Sequence, residues 1–142
     1  MKLISPQEAQ KLGIQTIHHE MDNGEKRFRL STESGSSYIL TLNSGEAGWQ
    51  NSHVHFQKKE FYIVEKGWAL LILWKKSEQP QVIRLCADDS YLVPANVAHN
   101  LFVSAGTVLH TVKYGTKDTD WNACPELDAL IREMNLEIQE SL

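Results

Sequence analysis

The sequence predicts an all-β protein, an antiparallel β-barrel or sandwich of about ten strands with a short helix at each end. Between residues 36 and 115, short apolar and β-branched runs are separated by turn residues at the spacing typical of a barrel or sandwich. One run, Trp68–Trp74, is wholly apolar and therefore predicts a strand that is buried on both faces. The apolar residues take up a helical period only near the C-terminus, so the barrel should form most of the chain.

The first helix is predicted from its capping residues. Ser5 suits the N-cap, Pro6 suits the first helical position, and Glu8 is placed to close a capping box. Gly13 suits the C-terminal end of such a helix. A helix of about two turns should therefore precede the first strand.

The strands are predicted from apolar runs bounded by turn signals. Asn23-Gly24, a dipeptide typical of tight hairpin turns, separates Ile14–Glu20 from Lys26–Ser31 and predicts a hairpin. Further strands are predicted at Tyr38–Asn43, His53–Phe56, Glu60–Val64, Trp68–Trp74, Gln81–Cys86, Tyr91–Val93, Asn100–Val103 and Thr107–Tyr114.

The C-terminal segment predicts an amphipathic helix over residues 125 to 139. Pro125 fits its first turn, and apolar residues recur at helical spacing at Leu127, Leu130, Ile131, Met134 and Ile138. This helix could pack against the barrel or form a dimer contact. Because Trp68–Trp74 needs cover on its outer side, we expect a homodimer, with the terminal helix as the alternative cover.

Composition and charge narrow the class of protein. A chain of 142 residues with 42% hydrophobic and 23% charged residues is typical of one globular domain, here residues 1–142. A net charge of −4 argues against a nucleic-acid partner. The N-terminal residues lack the apolar core of a signal peptide, and Trp68–Trp74 is too short to span a membrane. With Cys86 and Cys124 expected as reduced thiols, we predict a cytoplasmic protein without a membrane partner.

Four side chains form a candidate metal site: His53, His55, Glu60 and His99. Alternate residues of a strand point to the same face, so His53 and His55 would project together. Glu60 begins the next predicted strand, and His99 comes from a third segment. Three imidazoles and one carboxylate are a ligand set for divalent iron, manganese, nickel, copper or zinc. We therefore expect one divalent transition metal ion at this site.

The spacing of these residues also resembles the two motifs of the cupin family. The residues that match are Gly48, His53, His55, Glu60 and Gly67 in the first motif, and Pro94 and His99 in the second. The resemblance covers residues 48 to 103 and implies a jelly-roll barrel with the metal inside. Asp88 and Asn96 stand where the family has glycine, and both residue types tolerate a left-handed backbone.

Two further residues are candidates for proton transfer. Tyr62 would share the inward face with Glu60, where it could act as an acid or simply be an inward tyrosine with a satisfied hydroxyl. His110 shares a face of its strand with Val108 and Val112. If that face is the inner one, His110 could transfer a proton or support a metal ligand. The sequence leaves the register of this strand open.

Three functions remain open on the sequence alone. Four protein ligands would leave two positions of a six-coordinate metal for a small-molecule substrate. The first hypothesis is a metal-dependent enzyme acting on a small polar metabolite, as in isomerisation or epimerisation of a sugar derivative. The second is an iron-dependent dioxygenase. The third is a non-catalytic protein that binds a small ligand or stores a metal.

Overall fold

The computed structural model describes residues 1–141, with side chains described for residues 1–134. Within this range the chain forms twelve strands and two helices. In chain order they are α1 (Pro6–Lys11), β1 (Ile14–Glu20), β2 (Glu25–Thr32), β3 (Ser37–Asn43), β4 (Gly48–Trp49), β5 (His53–Val54), β6 (Lys59–Lys66), β7 (Trp68–Trp74), β8 (Gln81–Cys86), β9 (Ser90–Val93), β10 (Ala98–Val103), β11 (Val108–Tyr114), β12 (Asn122–Ala123) and α2 (Pro125–Ser141).

The strands form two antiparallel sheets. Sheet A has the order β1-β2-β3-β11-β6-β9, and sheet B has the order β12-β5-β10-β7-β8, with β4 also paired to β10. Neighbours such as β3 and β11 are far apart in the sequence, so the chain crosses repeatedly between the sheets. This topology confirms the predicted all-β class and the antiparallel jelly-roll barrel.

The N-terminal elements form as their sequence signals predict. The Ser5 hydroxyl accepts a hydrogen bond from the Glu8 amide at 3.1 Å, which satisfies one of the free donors at the start of α1. Gly13 follows the helix with a φ of +80°, a left-handed conformation that favours glycine. Strands β1 and β2 then pair as the predicted hairpin.

The sequence reading differs from the structure at the shortest strands. The sequence does not predict β4 and β12, which have two residues each and are too short to show a period. It also extended the strand that begins at His53 as far as Phe56, whereas β5 ends at Val54. The reason is local, because the Phe56 amide donates its hydrogen bond to the side chain of Asp120.

The interior between the sheets is one apolar cluster. It combines inward residues of β6, β9 and β11 from sheet A with those of β7, β8 and β10 from sheet B. Its buried members are Tyr62, Val64, Ala69, Leu71, Leu73, Leu85, Val93, Val97, Leu101, Val103 and Leu109.

Helix α2 covers the outer face of sheet B. Its residues Leu127 and Ile131 pack in one buried cluster with Leu70, Ile72 and Phe102 of the sheet. Both faces of β7 are therefore buried, as its continuous apolarity predicts. The cover comes from the terminal helix and not from a second subunit.

Two residues that replace the glycines of the cupin motifs have the left-handed backbone conformation expected there. Asp88 has a φ of 73° and Asn96 has a φ of 68°, both in the left-handed region. These residue types reach that region at lower cost than other residues with a side chain.

Neither described helix is long and apolar enough to cross a membrane.

Candidate metal centre

Three strands bring the four predicted metal ligands together inside the barrel. His53 lies in β5, and His55 directly follows the last residue of that strand. Glu60 lies in β6, and His99 lies in β10. His53 and His99 are direct partners in the antiparallel pairing of β5 with β10. All four side chains are buried, and their ligand atoms lie within 4.8 Å of one another. The structure thus assembles the cluster that the spacing predicts.

Main-chain carbonyl groups orient the three imidazoles. The Nδ1 atom of His53 lies 2.8 Å from the Asn51 carbonyl oxygen, and that of His99 lies 2.9 Å from the Val97 carbonyl oxygen. The Nδ1 atom of His55 contacts the carbonyl oxygen of Asp120. Because a carbonyl oxygen only accepts, each Nδ1 carries the proton and donates. The Nε2 atom of each neutral ring therefore presents a lone pair to the cluster.

These lone pairs converge on a carboxylate oxygen that also only accepts. The Oε1 atom of Glu60 lies 2.8 Å from Nε2 of His53 and 3.0 Å from Nε2 of His99, and it also contacts Nε2 of His55. Burial lowers the pKa of His53, which favours its neutral form. Four acceptors around one point require a shared cation, and their nitrogen and oxygen chemistry suits a divalent transition metal ion. The site fits that ion.

Tyr62 holds the second oxygen of the same carboxylate. Its phenol donates a hydrogen bond to Oε2 of Glu60 at 2.6 Å. Burial, followed by the nearby Glu60 charge, raises the pKa of Tyr62 well above its usual value, so the phenol keeps its proton. Oε1 therefore remains available to a metal.

Asp120 links a loop to the metal centre through both its main chain and its side chain. Its carbonyl oxygen accepts from His55, as described above. Its carboxylate accepts from the amides of Phe56, Gln57 and Lys58 at 3.0, 2.7 and 2.8 Å. Slight burial opposes ionisation, but these amide hydrogen bonds lower the pKa of Asp120 to about 2. The ionised carboxylate thus fixes the segment that follows His55.

Trp121 lies beside the cluster at the edge of a cavity. Its ring stacks on His53 with centroids 5.5 Å apart and an interplanar angle of 22°. The cavity has a volume of about 330 Å³ and includes His53, Glu60 and Tyr62 in its wall. The metal centre therefore opens onto a space large enough for a small molecule.

The rest of this wall is polar and positively charged. Thr41 and Thr111 contribute hydroxyl groups, while Arg27, Arg29 and Lys113 contribute cations. Burial lowers the pKa of Lys113, and the charges of the two arginines lower it further, whereas Glu60 raises it. The cavity therefore favours polar ligands.

The structure does not bring His110 to the cluster. On β11 the inward residues are Leu109, Thr111 and Lys113, so His110 lies on the outer face of sheet A. There its Nδ1 atom lies 2.6 Å from the Tyr38 hydroxyl, and its Nε2 atom lies 3.1 Å from Oε1 of Glu65. The proposed proton transfer required the inner face, and this register removes that route.

Several residues of the site are absent from the sequence prediction. Thr111 and Lys113 carry the same period-two signal as His110, but on the other face of the strand. Arg27 and Arg29 alternate in the same way in β2. The hairpin signal predicts this strand but not that it lies beside the metal site. Asp120 lies in a loop without a periodic pattern, so no sequence signal connects it to His55.

Comparisons with known proteins show the fold. No family model and no curated protein sequence matches the chain. Among solved structures, an oxalate oxidase in complex with the substrate analogue glycolate has a TM-score of 0.60 at 16% identity, covering 74% of this chain and 57% of that one. Oxalate decarboxylase from Bacillus subtilis has a TM-score of 0.64 at 10% identity, covering 84% of this chain and 34% of that one.

The chain therefore spans about half the length of the first of these proteins and about a third of the second. At such low identity the likeness concerns the fold and not the activity. The neighbours are cupins, and the jelly-roll topology and the cluster of three histidines and one glutamate agree with them. This chain has the cupin fold, with a buried site for one divalent transition metal ion.

Proposed function

We propose that the protein is a metal-dependent enzyme acting on a small polar metabolite, with His53, His55, Glu60 and His99 as the metal ligands. The main observation that supports this proposal is that His53 and Glu60 belong both to the ligand cluster and to the cavity wall. Catalytic metal sites keep a position open to substrate, whereas structural sites are closed by protein ligands. A bound divalent metal would supply Lewis-acid polarisation of a substrate oxygen.

The chain's own residues would bind the metabolite and supply a proton. Thr41, Thr111 and Gln50 place hydroxyl and amide groups in the cavity wall, which suits a ligand that carries several hydroxyl or carbonyl groups. Tyr62 lies in the same wall with its phenol protonated, so it is our candidate proton donor as well as the group that holds Glu60. Isomerisation or epimerisation of a sugar derivative is the first reaction class to examine.

Oxidation of a small metabolite by dioxygen is the second candidate. It is favoured by one observation, the likeness in fold to an oxalate oxidase. Oxygen consumption separates the two reactions, because isomerisation consumes none. If the iron-loaded protein consumed oxygen with a hydroxy or oxo acid, the isomerase proposal would be replaced by this one.

The test begins with metal analysis of the purified protein and continues with a screen of hydroxy and oxo metabolites. With a substrate in hand, removal of the metal should abolish turnover. At saturating metal, Tyr62→Phe should lower kcat about 100-fold or more if the phenol transfers the proton. The matched control is Tyr91→Phe, since Tyr91 pairs with Tyr62 across β9 and β6 but is absent from the cavity wall. Undiminished turnover by metal-free protein would refute the proposal.

A homodimer also remains a proposal, and sheet A now supports it. Because α2 covers β7, the strand no longer needs a second subunit. The outer face of sheet A, however, carries exposed apolar side chains on several strands, namely Phe28, Leu30, Ile63, Leu92, Val112 and Tyr114. Such a face is typical of a contact surface. Sedimentation should give twice the 16.2 kDa mass of one chain, and a Val112→Lys variant should shift the equilibrium towards monomer.

A cytoplasmic location and a single domain over residues 1–142 remain predictions as well. Cys86 is exposed, Cys124 is buried, and both are free thiols, as expected in a reducing compartment. Fractionation of cells that express the chain would test the location. A single cooperative unfolding transition would support one domain, whereas two separate transitions would count against it.

A further inference from the structure

The charges that face the cavity do not balance. Arg27 has a partner, because its Nε atom lies 2.6 Å from Oε1 of the buried Glu25. Glu60 is the other acidic residue of the region, and its carboxylate belongs to the metal cluster through Oε1 and accepts from Tyr62 through Oε2. Among the side chains described, no carboxylate lies within ion-pair distance of Arg29 or Lys113.

The strand register places these two cations on the same inward face of sheet A. Lys113 is the direct partner of Glu60 across β11 and β6, so it stands next to the metal centre. Arg29 pairs with Ile39, which in turn pairs with Thr111, the partner of Tyr62. Arg29 is therefore three strand spacings, about 14 Å across the sheet, from Tyr62. Both side chains line the same cavity of about 330 Å³.

Placing Arg29 and Lys113 in this cavity costs free energy unless an anion binds between them. Partly buried cations lose hydration, and a divalent metal would add two more positive charges against the single negative charge of Glu60. Arg29 has one hydrogen-bond partner for its guanidinium, Nδ1 of His19 at 2.6 Å, which carries no negative charge. The remaining donors of Arg29 and the ammonium of Lys113 can be matched by the oxygens of one oxyanion.

We propose that the cavity binds an anionic metabolite whose carboxylate or phosphate group is held by Arg29 and Lys113, while another oxygen of the same molecule faces the metal centre. That this molecule is also the substrate rests on the proposed function. The binding itself does not, because the two cations are present with or without turnover. Arg29 and Lys113 would then favour metabolites with a negatively charged group. The metal centre would favour those that carry a second oxygen within its reach.

The test measures binding without turnover. Isothermal titration of glycolate, inorganic phosphate and the neutral polyol erythritol is carried out on zinc-loaded and metal-free protein, since zinc has no redox chemistry of its own. We expect one or both anions to bind and erythritol to bind at least tenfold more weakly. Tighter binding of glycolate would identify a carboxylate ligand, and tighter binding of phosphate would identify a phosphorylated one.

Two variants and one matched control test the residues. Arg29→Gln and Lys113→Gln should each raise the Kd of the preferred anion about tenfold or more. Lys26→Gln should change it less than twofold, because Lys26 lies on the same strand as Arg29 but is exposed on the outer face. Arg29→Lys keeps the charge without the planar fork and should weaken binding by an intermediate factor. If a glutamine variant fails to fold, Arg29→Lys and Lys113→Met provide the same comparison.

Several results would overturn the proposal. They are the absence of binding of either anion at millimolar concentration, equal binding of erythritol, and unchanged anion affinity in both cation variants. Turnover of a neutral sugar that is unaffected by both variants would overturn it too, and would leave the proposed function standing. Anion binding that falls in the variants, in a protein that turns over no metabolite, would support this site and count against the enzyme.

Discussion

The two ends of the barrel interior differ in chemistry, although the same strands build both. Along β6 the inward residues change from Glu60 and Tyr62 to Val64, which packs in the apolar cluster. Along β10 they change from His99 to Leu101 and Val103. One end is therefore a packed apolar core, and the other is a polar cavity with the metal ligands.

This difference shows how the fold holds a costly site. Buried imidazoles, carboxylates and cations contribute little to folding by themselves. Glu60 and His99 are each two residues away, on one strand, from Tyr62 and Leu101, which pack in the apolar cluster. The packed end thus supplies the stability that keeps the ligands of the polar end in place.

Loss of a ligand at the polar end should have the largest effect. His99→Ala removes one of the four donors and leaves Glu60 buried beside two imidazoles, so metal affinity should fall by more than the 10- to 100-fold typical of losing an outer partner. Competition with a chelator measures it. His110→Ala is the matched control, because His110 lies on the outer face of sheet A, and its metal affinity should be unchanged.

An equal loss of affinity in the two variants would contradict the assignment of the cluster. So would full metal occupancy of His99→Ala at limiting metal.

A cavity at the packed end should affect stability and not the metal site. Leu101 is 1% exposed, so Leu101→Ala should lower the free energy of unfolding by about 2–5 kcal/mol. Chemical denaturation measures this change, and the folded variant should still bind one metal ion. Leu3→Ala, at a side chain that is 87% exposed and outside the sheets, should change the free energy by less than about 0.5 kcal/mol. If the two ends are independent, Leu101→Ala lowers the free energy of unfolding and leaves metal binding unchanged.

Release of the loop that orients His55 should have the smallest of these effects. Asp120→Ala removes three hydrogen bonds to the amides after His55 and should weaken metal binding about 10-fold. Asp118→Ala, at an exposed position in the same loop, is the control and should leave it unchanged. Equal metal affinity of the Asp120 variant and the unaltered protein would show that the carbonyl alone orients His55.

The candidate ligands could be predicted because their signal is local. His53 and His55 are two apart, and Glu60 and His99 follow at the spacing of known motifs. The Ser5 cap and the hairpin around Asn23 are likewise short-range features. Strands β4 and β12 could not be predicted, since they form only where the tertiary structure brings β10 and β5 alongside them.

The sequence by itself determined the all-β class through the period and spacing of its strands. Through motifs that resemble those of the cupin family, it also determined the jelly-roll barrel and the four residues of the metal cluster. It did not determine which face of β11 points inward. The outer face carries Val108, His110, Val112 and Tyr114 and is more apolar than the inner face, which carries Leu109, Thr111 and Lys113. Hydrophobicity would therefore choose the wrong face. Pairing of Lys113 with Glu60 across β6 decides it, and only the folded sheets make that pairing.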